Sequence, residues 1–214
     1  MYLPTHFAEE RPEVMRAFMR EQPLGLVIVN GKAGLTADPI PFVLDERAGE
    51  HGTLLGHVAR NNPLWQNHDP AHEVLVVFQG SSAYITPTWY ETKRTTHEVV
   101  PTYNYLTVQV RGPMTVHDDF KWVRRQAGLL TNAMESGRET PWKMGDAPQE
   151  YLTGMLSSIV GIEIPVRTMT GKWKLGQNRV EADRLGAIAG LRETDQPEAE
   201  VIANAMEQAL LDRG

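Results

Sequence analysis

The sequence predicts an α+β protein, a mostly antiparallel barrel with helices inserted singly and a helical C-terminus. Two observations carry this. About seven apolar runs of strand length follow one another, mostly through short turns. Helical spacing appears only at single places between them or after the last, not after every strand as βαβ units require. Size agrees, because 214 residues at 41% hydrophobic content supply one large domain with a real core.

The elements follow in order. Pro12 to Gln22 carries Val14, Met15, Phe18 and Met19 at helical spacing, and Pro23 ends it. "LGLVIVN" reads as a buried strand closed by the turn "GKAG". "TADPIPFVLD" alternates Ile40, Phe42 and Leu44, with two prolines that make it an edge or an irregular strand. "GTLLGHV" is a third strand, and "NNPLWQNH" a short helix with an asparagine cap and Pro63 in its first turn. "EVLVVFQG" and "SSAYITP" read as a hairpin, followed by a polar loop from Thr88 to Val100.

"YNYLTVQVRGPMTV" is the longest strand candidate, with Leu106, Val108 and Val110 on one face. Asp118 and Asp119 open a helix bearing Phe120, Val123, Ala127, Leu130 and Met134. "SSIVGIEIPVRTM" is the last strand. Asn178 and Glu181 form a capping-box pattern for the next helix, and Gln196–Pro197 opens another with Val201, Ile202, Ala205, Ala209 and Leu210.

Composition excludes several classes. The net charge of −6 gives no global basic field to attract nucleic acid. The absence of cysteine removes disulfides, thiolate nucleophiles and cysteine zinc sites. "MYLPTHFAEERPEV" lacks the apolar core of a signal peptide, and no run reaches the roughly 18–20 apolar residues of a membrane helix. The expected setting is cytoplasmic, without membrane. GxGxxG, GxxxxGK[ST] and GxSxG are all missing. His68 and His72 in "HDPAH" have metal-ligand spacing, but Pro70 breaks the helix that would align them, so no metal site is expected.

Three stretches carry candidate chemistry. In "GHVARNNP", His57 stands at a strand end, Arg60 can fork onto a phosphate or carboxylate, and Asn61 or Asn62 can cap a helix whose free N–H groups attract anions. The same residues read equally as a capped surface helix with a solvated arginine. "GKWKLGQNR" gathers Lys172, Lys174 and Arg179 around Trp173, with the amides of Gln177 and Asn178 beside them. Tyr84, Trp89, Tyr90, Tyr103 and Tyr105 form an aromatic group that suits a core or a dimer interface.

Taken in order with "MYLPTHF", "VVFQGSSAYITPTWY" and "VPTYNY", these stretches resemble the FMN-binding negative transcriptional regulator (PaiB-type) family, from Met1 to about Leu191. The resemblance implies the FMN-binding split β-barrel, a Greek-key barrel of six or seven strands that forms a homodimer with flavin at the subunit interface. It implies a barrel over residues 1–168, with a basic loop and helices over 169–214 packed on it as one structural unit. Carried onto this sequence, it makes His57, Arg60 and Asn61 the first FMN contacts and adds Gln79. Trp173, Lys174 and Gln177 follow, from the partner subunit or closing over the ring. Gly176 departs from the family's usual serine and removes one hydroxyl. No helix-turn-helix accompanies the label, so direct DNA binding by this chain is not expected, and regulation would be indirect. The alternatives are an FMN-dependent oxidoreductase acting on a small molecule and a haem-binding barrel with His57 or His97 as axial ligand.

Overall fold

Antiparallel ladders carry the architecture. The computed structural model describes residues 1–31 and 34–212. The strands among them are β1 (Ala8–Glu9), β2 (Leu24–Gly31), β3 (Gly34–Pro41), β4 (Val43–Asp45), β5 (Thr53–Ala59), β6 (Val74–Ile85), β7 (Thr102–Gly112), β8 (Thr115–His117), β9 (Ile159–Pro165) and β10 (Thr168–Lys174). The helices are α1 (Pro12–Glu21), α2 (Leu64–Asn67), α3 (Thr92–Thr95), α4 (Phe120–Glu135), α5 (Gln149–Ser157), α6 (Glu181–Arg192) and α7 (Ala199–Leu211).

These elements fall into two compact units. The first comprises Met1–Arg11, Gln79–Val108 and Thr170–Gly214; the second comprises Pro12–Phe78 and Gln109–Met169. The N-terminal and C-terminal residues share a unit in which β10 pairs with β1, Ala8 opposite Lys172 and Glu9 opposite Gly171.

In the second unit, β3 pairs along its whole length with β2, and the short ladder from Leu26 to Ile28 joins β2 to the Val74–Phe78 part of β6. Its prolines lie on β3, which ends the strand order, as expected of an edge. The middle of the "GKAG" turn, Lys32 and Ala33, lies outside the described residues. A second sheet runs β4-β5-β9-β8, all antiparallel, and remains open. Alternation buries Val27 and Val29 from β2, while Leu54, Val58, Val160, Ile162 and Ile164 face inward from β5 and β9. Met15, Phe18 and Met19 cover the core from α1 as their spacing requires.

Helix α4 starts where two aspartates precede the apolar pattern. Asp119 caps it, its carboxylate accepting from Trp122 N–H at 2.9 Å. Asp119→Ala removes that acceptor and destabilises the fold by about 1 kcal/mol, which chemical denaturation reads directly. The buried face is not the whole predicted stripe. Val123 and Gln126 are buried, whereas Phe120 and Met134 are exposed.

In the first unit the strand order is β1-β10-β7-β6. Leu106 and Val108 face the core from β7, with Ala83 and Ile85 from β6. Leu191, Ile202, Ala203 and Met206 bury the facing sides of α6 and α7.

Three expectations are corrected. "VLVVFQGSSAYI" is one strand, not a hairpin, and the N–H groups of Ser82 and Tyr84 along it find acceptors on Glu198 and Gln196 at 3.0 and 3.1 Å. "GKWK" lies on β10 rather than in a loop. Asn178 caps nothing: α6 begins after Val180, and no side chain caps it. Helix α5 follows Pro148 in a stretch where no helix was expected.

Candidate functional site

The sequence places seven candidate residues, and the two units divide them. His57, Arg60 and Asn61 belong to the second; Gln79, Trp173, Lys174 and Gln177 belong to the first.

His57 sits on β5 opposite Gly161. Its Nδ1 lies 2.7 Å from Gln126 Oε1, and Gln126 Nε2 donates to Leu55 O at 3.3 Å. With its own N–H committed to Leu55, Gln126 accepts from His57, which fixes the imidazole tautomer with hydrogen on Nδ1. Arg60 does fork, onto Asp118 at 2.6 and 3.0 Å, and its Nε donates to Ser157 O at 2.8 Å. The pairing raises the guanidinium pKa and lowers that of Asp118, chiefly through the shared hydrogen bonds.

Of the two asparagines, Asn62 does the structural work. Its Oδ1 accepts from Leu64 N–H at 2.8 Å and its Nδ2 donates to Asp38 at 3.0 Å. Asn61 is exposed. Helix α2 is a single turn, so the expected anion site at its N-terminus lacks the aligned peptide dipoles that would make one. His68 bonds Trp65 O at 3.2 Å and His72 pairs with Asp69 at 3.6 Å.

The first unit concentrates positive charge. Lys172 is buried and donates to Tyr2 O at 3.1 Å, its ammonium 5.6 and 5.5 Å from the Tyr2 and Tyr105 ring centres. Lys174 donates to Thr102 Oγ1 and Tyr103 O, and lies 5.8 Å from the Tyr105 ring centre. Arg179 stacks over Tyr90 at 5.0 Å. Among the described residues no carboxylate forms an ion pair with any of the three. Burial first, then the charges of Lys172 and Arg179, push the Lys174 pKa below the usual lysine value. An anion bound there would reverse that shift.

Around this charge the side chains are ordered. Gln177 accepts from Leu175 N–H at 2.8 Å and donates to Trp173 O at 2.6 Å, stapling the turn after β10. Gly176 in that turn has φ +77°, a left-handed conformation in which serine would be strained. Tyr84 and Tyr103 meet edge to face at 5.7 Å, and both are exposed. Gln79 makes only long contacts, at 3.5 Å, to Gly80 O and Leu106 O, leaving its amide weakly held. His97 is exposed with φ 59°.

Sequence reasoning missed Asp118 as the partner of Arg60 and Gln126 as the partner of His57. Gln126 left one trace, a polar residue amid an amphipathic helix pattern. Lys172 and Arg179 were visible as charge, but their shared lack of an acid was not.

Residues 1–168 match the family described as "Putative FMN-binding domain". Protease synthase and sporulation protein PAI 2 of Bacillus subtilis is 30% identical over 210 residues, covering 98% of each chain. The flavocytochrome Anf3 from Azotobacter vinelandii superposes with a TM-score of 0.58 at 12% identity, over 84% of this chain and 75% of that one. The FAD and heme binding protein from Mycobacterium smegmatis does so with a TM-score of 0.56 at 17% identity, over 84% and 79%. The fold is the α+β split barrel of these flavin-binding proteins, with strands that do not close into one barrel. No described helix is long and apolar enough to cross a membrane.

Proposed function

Because the chain belongs to the "Putative FMN-binding domain" family, we propose that it binds FMN as a homodimer and acts as a regulator whose effect on transcription is indirect. His57, Arg60, Asn61 and Gln79 contact the flavin. Trp173, Lys174 and Gln177 complete the site from the partner protomer or by closing over the ring. The observation that carries the reading is the Lys172, Lys174 and Arg179 group, unpaired with acid and bordered by tyrosine rings. Cations and aromatic faces together match a ligand with a dianionic phosphate and a flat ring. When bound, FMN supplies redox chemistry that no side chain of this chain provides.

Arg60 fits the same reading despite its ion pair. The Arg60–Asp118 pair is exposed, and exposed pairs contribute little, so its fork is readily transferred to a phosphate. Asp118 then acts as a competitor for the guanidinium. The indirect mode of regulation rests on the acidic net charge, and the regulatory role itself on the resemblance to the negative transcriptional regulator family. A cytoplasmic location belongs to the reading and rests on the cysteine-free composition.

The test is an absorbance spectrum of the purified protein followed by FMN titration. Arg60→Ala is expected to weaken FMN binding about tenfold or more, and Asp118→Asn to tighten it a few-fold. Equal affinities in all three proteins would remove Arg60 from the site. Light scattering should find a dimer, and a monomer at micromolar concentration contradicts the composite site. Steady oxidation of reduced nicotinamide on addition of FMN would favour the oxidoreductase, and a Soret band the haem protein.

A further inference from the structure

The second unit holds a cavity of about 200 Å³ beneath α4 that the flavin reading does not use. Its deep wall is made by Thr53, Leu55 and Gln126, none more than 9% exposed. Asp45, Glu163 and Arg125 bring charge to it.

The arrangement of those charges points to a ligand. An arginine and two carboxylates line one small cavity, yet among the described residues no ion pair joins Arg125 to either acid. Arg125 stands exposed on α4, while Asp45 at the end of β4 and Glu163 on β9 are half-buried, and all three line the cavity. Each acid keeps an oxygen available: Asp45 uses Oδ1 for Arg47 N–H at 3.1 Å, and Glu163 uses Oε2 for His117 at 2.8 Å. Gln126, by contrast, is tied to His57 through Oε1 and to Leu55 O through Nε2. The cavity therefore offers acceptors on one part of its wall, a guanidinium donor on another, and apolar surface from Leu55, Leu129 and Trp122.

We propose that this cavity binds a small zwitterion, an amino acid with a short apolar side chain. Its ammonium group bonds to Asp45 and Glu163, its carboxylate to Arg125, and its side chain packs on Leu55, Leu129 and Trp122. A volume of about 200 Å³ lies below the roughly 300–1,000 Å³ of sites for drug-sized ligands, which limits the guest to a few heavy atoms. The geometry needs no flavin, so the proposal stands independently of FMN binding.

Thermal melts of the full chain with valine, isobutylamine or isovalerate test this, since the last two each lack one of valine's charges. Valine at a hundredfold excess over its Kd should raise the melting temperature by about 5–10 °C, and the other two by far less at the same concentration. Glu163→Gln, which keeps an acceptor for His117, should weaken valine binding about tenfold. Arg125→Gln should make valine and isobutylamine equivalent. No shift by valine at about 20 mM, equal shifts by valine and isobutylamine in the parent protein, or undiminished selectivity in Arg125→Gln would each overturn the assignment.

Discussion

Lys174→Met weakens FMN binding by about 10- to 100-fold while leaving the melting temperature of the flavin-free protein undiminished. The expectation follows from what surrounds the ammonium. It donates to Thr102 and Tyr103, and it shares its surroundings with Lys172 and Arg179 rather than with an acid. A charge-assisted hydrogen bond to an anion contributes roughly 1.5–3 kcal/mol, which corresponds to that range of affinity. Methionine keeps the unbranched stem and removes the charge together with the hydrogen bonds to Thr102 and Tyr103, whose loss is offset by the relief of a buried charge.

The pH dependence has a definite sign. Burial, with Lys172 and Arg179 behind it, depresses the Lys174 pKa in the flavin-free fold, so the unfolded chain binds more protons than the folded one between the two values. Charged Lys174 is a cost to the flavin-free fold at neutral pH. That cost fades as pH rises from the depressed value to the ordinary lysine range near about 10.4, and methionine removes it at once. Bound anion does the opposite, because it favours the charged lysine. FMN affinity should therefore fall as pH rises through the Lys174 pKa, and Lys174→Met should flatten that slope. Titrations by flavin fluorescence across the alkaline range measure both quantities. An unchanged Kd in the variant would take Lys174 out of the site.

The same residue illustrates what a sequence conveys. Local patterns were legible wherever the stabilising partner is a periodic neighbour. Met15, Phe18 and Met19 marked α1, and the two prolines marked an edge or irregular strand, which became β3 at the end of its sheet. Patterns failed where the partner is remote. Ser82 and Tyr84 belong to a continuous strand, and Glu198 and Gln196, 116 and 112 residues away, satisfy their N–H groups. Lys172 lies on a strand because β10 is flanked by β7 and by β1, the latter from the opposite end of the chain.

The candidate site divides in the same way. Residue types at "GHVARNN" announced anion chemistry, but Asp118 lies 58 positions from Arg60, and Gln126 lies 69 from His57. Neither pairing has a local signature. The cluster of Lys172, Lys174 and Arg179 was legible as charge, since its members lie on one short stretch. Its chemical meaning depends on which acids stay away, and that is a property of the fold alone.

Gly186→Ala and Gly190→Ala should each destabilise the protein, against the sign that helix propensity gives. Both lie inside α6, where alanine is ordinarily favoured over glycine by about 1 kcal/mol. Their spacing of four puts them on one face of the helix, and Trp89 fills the space their missing side chains leave. A Cβ at Gly190 would stand 2.4 Å from Cγ and Cδ2 of the indole; one at Gly186 would stand 2.1 Å from Trp89 O. The two clashes differ in kind. An indole can turn aside, but a backbone carbonyl moves only with the chain. Overpacking costs roughly 1–3 kcal/mol, and Gly186→Ala belongs at the upper end. For a chain of this size that lowers the melting temperature by about 2–8 °C after the propensity gain is subtracted. Trp89→Leu separates the mechanisms: it should relieve Gly190→Ala and leave Gly186→Ala unrelieved, a difference that a double-mutant cycle isolates. Displacement also reaches the cationic cluster, because Tyr90 follows Trp89 and carries Arg179 over its ring. FMN affinity should fall with stability in Gly186→Ala, and a variant that melts normally would show that α6 can yield to Trp89 without loss.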